Sequence, residues 1–412
     1  MSHASIIPLI GGELLGTIDA TSTLPEYILS YEIFENNDAH LIKYLREKYN
    51  WGGEYLQIDK GTLPSKLKQV ESVSSVCPCA GLSDLSRHSG ADSATNEWLY
   101  RAAEFVFENI RPKVYWGENA YALGKNKGRP VAERLAKLGQ KYGYSMTIYL
   151  TRAYLHGNPQ KRPRAFYIFV EGDRAAVLPF VKKPFASVED IIKIPVSKED
   201  QLNQRLRSDK PLDIPFVRQT LARFGETSLA SFFENQVPIN TYFGMNDTCI
   251  SDIRNHGSAI AIERIKPFTS TAEQFAKLER WIRHAESKFD QGKGIWRHSE
   301  QLCKGQCPAY IKHSPYFWIN PFTEDFVTYR EGMRVMGMPD DFDLIPEKNG
   351  SVPFNHISQN VPFETARDIA RMVACPIELE RSFSSRVLTI DNIAQKIENE
   401  SFLNPNPAQL PL

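Results

Sequence analysis

Short apolar segments alternate with amphipathic helical patterns through the first 170 residues of this 412-residue chain. The pattern predicts strands at 27–31, 73–76 and 165–170, and helices at 96–110 and 131–142. A strand, a helix and a second strand in succession join parallel strands through a helical crossover. The sequence therefore predicts an α/β fold built on a doubly wound mixed sheet.

Polar residues follow the first three predicted strands, at the edge where doubly wound sheets bind their ligands. Gly11 and Gly12 come after the first apolar segment, Glu32 after the second and Asp59 after the third. Glycine lets a backbone approach a ligand closely, and a carboxylate about twenty residues later suits ribose hydroxyls. A solvated loop charge is an equally good interpretation of Glu32. The arrangement favours a nucleotide-like ligand at this edge.

The fourth predicted strand is expected to end in a thiol. Segment 73–76 stops at the rigid Pro78, and Cys79 begins a loop of small and polar residues. An accessible thiolate is a nucleophile, although a cysteine is also often a small apolar residue of the core. Glu118 ends the next strand, and the basic loop 156–164 adjoins the same sheet. A thiol, a carboxylate and guanidinium groups at successive strand ends together favour nucleophilic catalysis.

Composition limits the partners and the compartment. The chain carries 49 Lys and Arg residues and 49 Asp and Glu residues, so a polyanion would need a local basic patch. Six cysteines, and an opening segment 1–4 without Lys or Arg, predict reduced thiols and no secretory signal. No apolar segment is long enough to span a bilayer. We therefore expect a cytoplasmic protein without a membrane partner.

A metal site is an alternative that the cysteine spacing does not favour. Cys303 and Cys307 are four residues apart and His313 follows them. No second pair at metal-ligand spacing accompanies them, and structural zinc sites need four ligands. We expect no bound metal.

Several stretches of the chain, in this order, resemble the signature elements of the DNA (cytosine-5)-methyltransferase family. They are 78–83 (Pro-Cys-Ala-Gly-Leu-Ser), 118–120 (Glu-Asn-Ala), 160–164 (Gln-Lys-Arg-Pro-Arg), 327–331 with 334–342, and 358–362 (Ser-Gln-Asn-Val-Pro). The first three resemble the family's Pro-Cys-Gln, Glu-Asn-Val and Gln-x-Arg-x-Arg. Three places depart from the family pattern. Segment 8–12 lacks the usual Phe, Ala80 replaces Gln, and Ser358 and Gln359 replace a Gly-Asn pair.

The resemblance implies a Rossmann-like, S-adenosylmethionine-dependent methyltransferase sheet with an inserted, smaller target-recognition domain. It places the catalytic domain at 1–172 and 321–400, the target-recognition domain at 173–320 and a disordered tail at 401–412. The implied enzyme is of phage or bacterial type, a monomer in the bacterial or phage-infected host cytoplasm. It would transfer a methyl group to C5 of cytosine at a specific sequence of double-stranded DNA, through covalent addition of Cys79 at C6 and base flipping.

The resemblance also assigns roles to individual residues. The implied catalytic residues are Cys79, Glu118, Asn119, Arg162 and Arg164. The residues implied to bind S-adenosylmethionine are Gly11, Gly12, Glu32, Ile33, Asp59, Pro78 and Gln359. The residues implied to contact DNA are Ser83, Arg87, Gln160 and Arg297. The loop 291–298 that holds Arg297 is basic and aromatic, but an ordinary surface turn explains it equally well.

Two other functions remain open at this point. An RNA cytosine-5 methyltransferase would share the fold, although the long inserted region favours a reader of duplex DNA. A catalytically inactive DNA-binding or anti-restriction relative would also keep the fold, since fold alone does not determine function. The presence of Cys79, Glu118, Arg162 and Arg164 together argues against an inactive protein.

Overall fold

The computed structural model describes residues 1–61, 63–83, 89–237, 240–243, 250–291, 300–374 and 378–380. The predictions for Arg87, for Arg297 and for the tail 401–412 lie outside the described residues.

Strands alternate with helices through the first part of the chain and mix with them less regularly after residue 177. The strands are β1 (His3–Ile6), β2 (Tyr27–Ser30), β3 (Glu54–Gln57), β4 (Ser72–Val76), β5 (Val114–Ala120), β6 (Tyr144–Arg152), β7 (Pro163–Glu171), β8 (Ala175–Val177), β9 (Thr241–Phe243), β10 (Glu300–Leu302), β11 (Trp318–Asn320), β12 (Asp325–Phe326) and β13 (Glu378–Glu380). The helices are α1 (Gly12–Thr21), α2 (Glu35–Tyr49), α3 (Glu97–Asn109), α4 (Arg129–Lys141), α5 (Val188–Ile192), α6 (Pro215–Arg223), α7 (Leu229–Asn235), α8 (Ile250–His256), α9 (Ser258–Ile265), α10 (Ala272–Asp290), α11 (Tyr329–Val335), α12 (Asn355–Gln359) and α13 (Phe363–Ala374).

The chain divides into two compact units. One comprises Met1–Phe185 together with the chain from Met336 onward, and the other is Ala186–Val335. The sequence placed the corresponding limits at 172 and 320. In the structure β8 and the segment up to Phe185 belong to the first unit, and α11 belongs to the second. The role of the inserted unit in target recognition stays a prediction.

The first unit is built on a sheet with the strand order β3-β2-β1-β4-β5-β7-β6. The first five of these strands run parallel, and β7 is antiparallel to both β5 and β6. Every residue of β1, β2, β4 and β5 is buried, as expected for parallel strands covered on both faces. The carboxyl ends of β1, β2, β4 and β5 therefore meet at one edge, which carries the candidate site.

Helices complete this unit. The apolar faces of α3 and α4 pack in the core with the aromatic residues of β5 and β7, and α13 packs against α1. The predicted strands at 27–31, 73–76 and 165–170 and the predicted helices at 96–110 and 131–142 agree with the observed ones within two residues at each end. One detail is wrong. Glu118 does not follow its strand, because β5 continues through Ala120 and the carboxylate projects from within it.

The inserted unit has its own core. A four-stranded sheet of order β12-β11-β10-β9 packs with α6, α7 and α9. The inward face of α10 contributes Leu278, Ile282 and Ala285, which are buried. Thr271 caps the start of this helix: its hydroxyl accepts the Gln274 N–H at 3.1 Å. The Gln274 side chain in turn accepts the Ser270 N–H at 2.8 Å. The unit thus has the core expected of an independent domain.

Candidate active site

Cys79 lies just beyond the carboxyl end of β4. Cys77 is fully buried, Pro78 and Cys79 are half-buried, and Ala80 is exposed. The carbonyl oxygen of Cys79 accepts the N–H groups of Leu82 at 3.1 Å and Ser83 at 3.0 Å. The chain therefore turns directly after the thiol, which leaves this side chain partly accessible to a substrate.

A buried amide braces this turn from the neighbouring strand. Asn119 in β5 donates from Nδ2 to the carbonyl oxygen of Cys77 at 3.4 Å, and its Oδ1 accepts the Ala120 N–H at 2.9 Å. Both halves of the amide are therefore used by backbone groups. Asn119, which the resemblance counts among the catalytic residues, thus holds the backbone of the cysteine loop.

A second brace closes the loop that follows Cys79. Gly90 donates its N–H to the carbonyl oxygen of Gly81 at 2.8 Å. The buried Asn96 donates to the carbonyl oxygens of Gly90 at 2.9 Å and Ala91 at 3.0 Å. These contacts join the two described ends of the loop. Sequence reasoning did not identify this role of Asn96, since an Asn before a helix usually indicates a cap.

Glu118 and Arg164 form a buried ion pair next to the cysteine loop. Val76 at the end of β4 is paired with Glu118 in β5, and Ala120 of β5 is paired with Arg164 in β7. The guanidinium Nε of Arg164 contacts the carboxylate of Glu118, and both side chains are largely withdrawn from solvent. A thiol, a carboxylate and a guanidinium thus meet at one sheet edge, as predicted.

Neighbouring charges act in opposite directions on the Cys79 thiol. Burial raises the pKa of Cys79, Arg164 and Arg162 lower it, and Glu118 raises it further. The net pKa lies above the ordinary value of a cysteine, so the thiol is protonated at neutral pH. The two guanidinium groups are the features that would stabilise a thiolate here.

Arg162 bonds a different segment of the chain from the Glu118–Arg164 pair. Its side chain is 2% exposed, and Nη2 donates to the carbonyl oxygens of Ser358 at 2.9 Å and Asn360 at 3.0 Å. The Asn360 side chain in turn accepts the Gly12 N–H at 2.8 Å. The two arginines therefore take different partners, although the charges of both act on Cys79. Asn360 was not among the predicted site residues.

The glycine turn after β1 forms a narrow cradle. Gly11 has φ +90° and precedes α1. A Cβ on Gly12 would lie 2.3 Å from the Val361 carbonyl oxygen and 2.5 Å from the Asn360 side chain, so only glycine fits there. Ile7 and Leu9 have φ values of +55° and +53°, which are rare for such residues. Strained backbone of this kind concentrates at functional sites.

The ends of β2 and β3 carry the other predicted cofactor residues. Asp59 accepts the Glu32 N–H through both carboxylate oxygens, at 3.0 and 3.2 Å, and thereby fixes the backbone after β2. The Glu32 carboxylate is exposed and lies 3.4 Å from Lys60 Nζ, and Ile33 is 68% exposed. An exposed carboxylate and an exposed apolar side chain at this edge fit the ribose hydroxyls and the base of an adenosine group. Gln359 is exposed and accepts from Asn37 at 3.3 Å.

Two buried carboxyl groups under the same edge were not predicted. Burial raises the pKa of Glu13 in α1 to about 7, against the effect of nearby hydroxyl groups that include that of Thr17. Burial likewise raises the pKa of Asp38 in α2 to about 7, although the Tyr55 hydroxyl donates to it at 3.0 Å. Sequence patterns give no signal for such groups, because an acidic residue within a helix is usually solvated.

One predicted DNA contact does not fit the structure. Gln160 is fully buried, and its Nε2 donates to Met336 Sδ at 3.1 Å. Its side chain therefore packs inside the first unit instead of reaching a nucleic acid. Ser83 is half-buried in the turn after Cys79.

The described part of the chain also bears on metal binding and on membrane insertion. No group of three or more His, Cys, Asp or Glu side chains there has the arrangement needed to hold a metal ion. Among those same residues, no helix combines the length and the apolar character required to cross a bilayer.

Comparison with known proteins identifies the family. The profile of the C-5 cytosine-specific DNA methylases matches residues 9–375. The chain is 22% identical over 324 residues to the type II methyltransferase M.DdeI of Desulfomicrobium norvegicum, covering 73% of this chain and 70% of that protein. It is 25% identical over 127 residues to the type II methyltransferase M.NgoPII of Neisseria gonorrhoeae, covering 31% and 36%.

A solved structure supports the fold. A prophage-encoded E. coli protein described as a DNA modification methyltransferase superposes with a TM-score of 0.53 at 17% identity, covering 90% of this chain and 98% of that chain. The likeness confirms the predicted α/β methyltransferase fold. With the family profile extending over nearly the whole chain, the protein belongs to the C-5 cytosine-specific DNA methylases, a family of S-adenosylmethionine-dependent DNA methyltransferases.

Proposed function

We propose that the protein methylates C5 of one cytosine within a specific sequence of double-stranded DNA, with Cys79 as a covalent nucleophile. The observation that carries this proposal is the placement of Cys79, just after β4, beside the Glu118–Arg164 ion pair of β5 and β7. The family supplies the class of reaction. The contacts of each residue then support its individual role.

Covalent catalysis would activate a substrate that is unreactive by itself. C5 of cytosine is too weak a nucleophile to take a methyl group unaided. After the Cys79 thiol gives up its proton to solvent, addition of the thiolate to C6 would form an S–C6 bond and make C5 enamine-like. C5 would then form a bond to the methyl carbon while the methyl–sulfur bond of the donor breaks and its sulfur leaves as a neutral thioether. Loss of the proton from C5 then reforms the C5–C6 double bond and expels the thiolate.

Glu118 and Arg164 are placed to stabilise the charge that develops on the ring. The Glu118 carboxyl group would bind the N3 and N4 edge of the cytosine, where charge changes as the thiolate adds at C6. Arg164 holds Glu118 by its guanidinium and would hold the base with its remaining donors. Asn119 keeps the Cys77 carbonyl, and hence the thiol that follows, in place.

The glycine cradle and the ends of β2 and β3 fit the cofactor of this family. S-adenosylmethionine, when bound, supplies an electrophilic methyl group. The backbone at Gly11 and Gly12 would approach it closely, Glu32 would bind its ribose hydroxyls and Ile33 would cover its base. Asp59 acts by fixing the Glu32 backbone. The exposed Gln359 and the half-buried Pro78 complete the proposed cofactor site.

The target cytosine must leave the duplex, because its C6 atom is stacked between neighbouring bases. For duplex binding, the inserted unit offers the exposed side chains of Lys277, Arg280 and His284 on one face of α10. Their spacing places them in a row, which suits successive phosphates.

The test is base-resolution sequencing of C5 methylation in DNA from cells that express the protein, beside cells that express Cys79→Ala. Methylated cytosines in one short sequence, absent with the variant, are the expected result. Unmodified DNA in both samples would overturn the proposal. RNA from the same cells, sequenced in parallel, tests the RNA methyltransferase alternative, and absence of modification in both polymers would favour an inactive relative.

A further inference from the structure

We propose that Arg162 is a positioning residue for the methyl-donor site, whereas Arg164 serves the target base. The family resemblance counts both arginines among the catalytic residues. In the structure the two guanidinium groups contact different partners, although only Pro163 lies between the two residues in the chain. This inference rests on the proposed function, since it assigns the two residues within that reaction.

The Arg162 side chain is committed to two backbone carbonyls. Its Nη2 donates to the carbonyl oxygens of Ser358 and Asn360, at 2.9 and 3.0 Å, and the two carbonyls flank Gln359. Hydrogen bonds from a charged donor to two backbone carbonyls define the path of a loop tightly. With 2% of its side chain exposed, Arg162 presents almost no surface to a DNA phosphate.

The loop that Arg162 holds is joined to the glycine cradle. The Asn360 side chain accepts the Gly12 N–H at 2.8 Å, at the start of α1. The backbone at Gly12 lies against Val361 and Asn360 so closely that no Cβ fits between them. A shift of segment 358–361 would therefore move one wall of the cradle. Arg162 acts on the cradle through Asn360.

A row of alternating buried side chains ends at Arg162. His156, Asn158, Gln160 and Arg162 are each 0–2% exposed. Each contacts the chain beyond residue 335: His156 contacts Asp368 at 3.1 Å, Asn158 contacts Glu364 at 3.0 Å, Gln160 contacts Met336 at 3.1 Å, and Arg162 contacts the carbonyls of Ser358 and Asn360. We call these four residues the polar seam. It attaches the connection between β6 and β7 to the segment that builds the cradle.

The polar seam gives Arg162 a role that differs from that of its neighbour. Arg164 continues the every-second-residue spacing of the polar seam, but the contact of its guanidinium is with Glu118 in β5. Residues 162–164 thus have two roles in this proposal. Arg164 serves the target base, and Arg162 holds Asn360 against Gly12. Buried polar side chains arranged in this way orient the groups that contact a ligand without contacting it themselves.

The test compares Arg162→Lys, Arg162→Gln and Asn360→Ala with the wild-type chain, and Lys161→Gln serves as a matched control. Lys161 is an exposed neighbour of the same charge. Calorimetric titration of the full-length protein with S-adenosylmethionine, without DNA, gives the dissociation constant. Thermal unfolding of each variant reports whether it is folded.

We expect the dissociation constant to rise about tenfold or more in Arg162→Gln and Asn360→Ala, and to stay unchanged in Lys161→Gln. Arg162→Lys is the decisive variant, because it keeps the charge near Cys79 but cannot bond both carbonyls equally well. It should bind the cofactor more weakly than wild type and keep its affinity for duplex DNA. If Arg162→Gln does not fold, Arg162→Lys and Asn360→Ala decide the question.

A folded Arg162→Lys protein that binds S-adenosylmethionine as the wild type does, but binds DNA more weakly, would overturn the inference. Arg164→Lys should behave differently from Arg162→Lys: its affinity for the cofactor should be unchanged and its methyl transfer slower. Failure of the proposed function looks different. In that case the wild-type chain would bind cofactor without methylating DNA, or would bind no cofactor at all, and only the second result would also remove this inference.

Discussion

The carboxylate of Glu118 and the guanidinium of Arg164 form their ion pair diagonally across β5 and β7, because Ala120 is the residue directly opposite Arg164. Both side chains are largely withdrawn from solvent. The pair therefore holds the carboxyl group in one orientation beside the cysteine loop, where a base-binding group would need to be preorganised.

Glu118→Gln tests the contribution of this carboxyl group. We expect methyl transfer to slow by about 100- to 1,000-fold, which is typical for loss of one preorganised polar contact to a developing charge. Single-turnover measurement with saturating DNA and cofactor gives the rate. The matched control is Glu133→Gln, which removes an exposed carboxylate that pairs with Arg129 at 3.0 Å. A rate within a few-fold of wild type in Glu118→Gln would contradict the assignment.

The thiol of Cys79 should become more reactive as pH rises beyond the usual range for cysteine. Burial raises the pKa of Cys79, while Arg164 and Arg162 lower it. Removing the charge in Arg164→Gln should therefore raise the pKa further and slow alkylation at about pH 8. Iodoacetamide labelling at several pH values, followed by mass spectrometry of the Cys79 peptide, measures the rate. Faster labelling of the variant would show that Arg164 shields the thiol more than it activates it.

The buried Glu13 should make the protein less stable at alkaline pH. Its pKa is about 7 in the folded state and about 4.5 when unfolded, so the folded protein binds more protons between these values and stability falls as pH rises through them. Glu13→Gln should remove this loss. Between about pH 5 and about pH 8, we expect the free energy of unfolding of Glu13→Gln to rise by about 2 kcal/mol relative to that of the wild type.

Urea unfolding of both proteins at the two pH values gives that difference. Glu108→Gln, at an exposed position of α3, is the control and should show no comparable shift. A constant difference between wild type and Glu13→Gln would mean that Glu13 does not titrate near neutral pH in the folded protein.

His40 should have the opposite effect on stability in acid. Burial, with a smaller effect of His356, lowers the pKa of His40 from 6.5 to about 4. His40 Nδ1 accepts the Ile345 N–H at 2.9 Å, so its Nε2 carries the hydrogen that is shared with His356 Nδ1 at 3.0 Å. The unfolded chain takes up a proton near pH 6.5, whereas the folded one does not, so stability is lost as pH falls below 6.5.

His40→Gln should reduce the slope of stability against pH between about 4.5 and about 6.5. Urea unfolding across this interval measures the slope in wild type and variant. An unchanged slope would show that His40 is protonated as readily in the folded protein as in the unfolded chain. His284→Gln, at an exposed position of α10, should leave the slope unaltered.

The order and kind of the secondary-structure elements follow from local sequence patterns. The apolar runs and helical spacing placed the strands at 27–31, 73–76 and 165–170 and the helices at 96–110 and 131–142 within two residues of those observed, because the period of a pattern is a local property. The same patterns placed polar residues at the ends of parallel strands. Cys79, Glu118 and Arg164 do meet at one edge, since the parallel strands β4 and β5 end on the same side of the sheet and the antiparallel β7 begins there.

What the sequence alone could not decide is which partner each buried polar group takes. Gln160 and Arg162 have the residue types of ligand-binding groups, but both pack against the C-terminal segment, far along the chain. By sequence pattern, Glu13 and Asp38 resemble the acidic residues of an exposed helix surface. In the folded protein both are buried. The sequence by itself determined the fold class and the strand edge where Cys79 lies, because these depend on local pattern. Only the tertiary structure decided which side chains face a ligand and which hold the walls of the site, because that depends on contacts between distant segments.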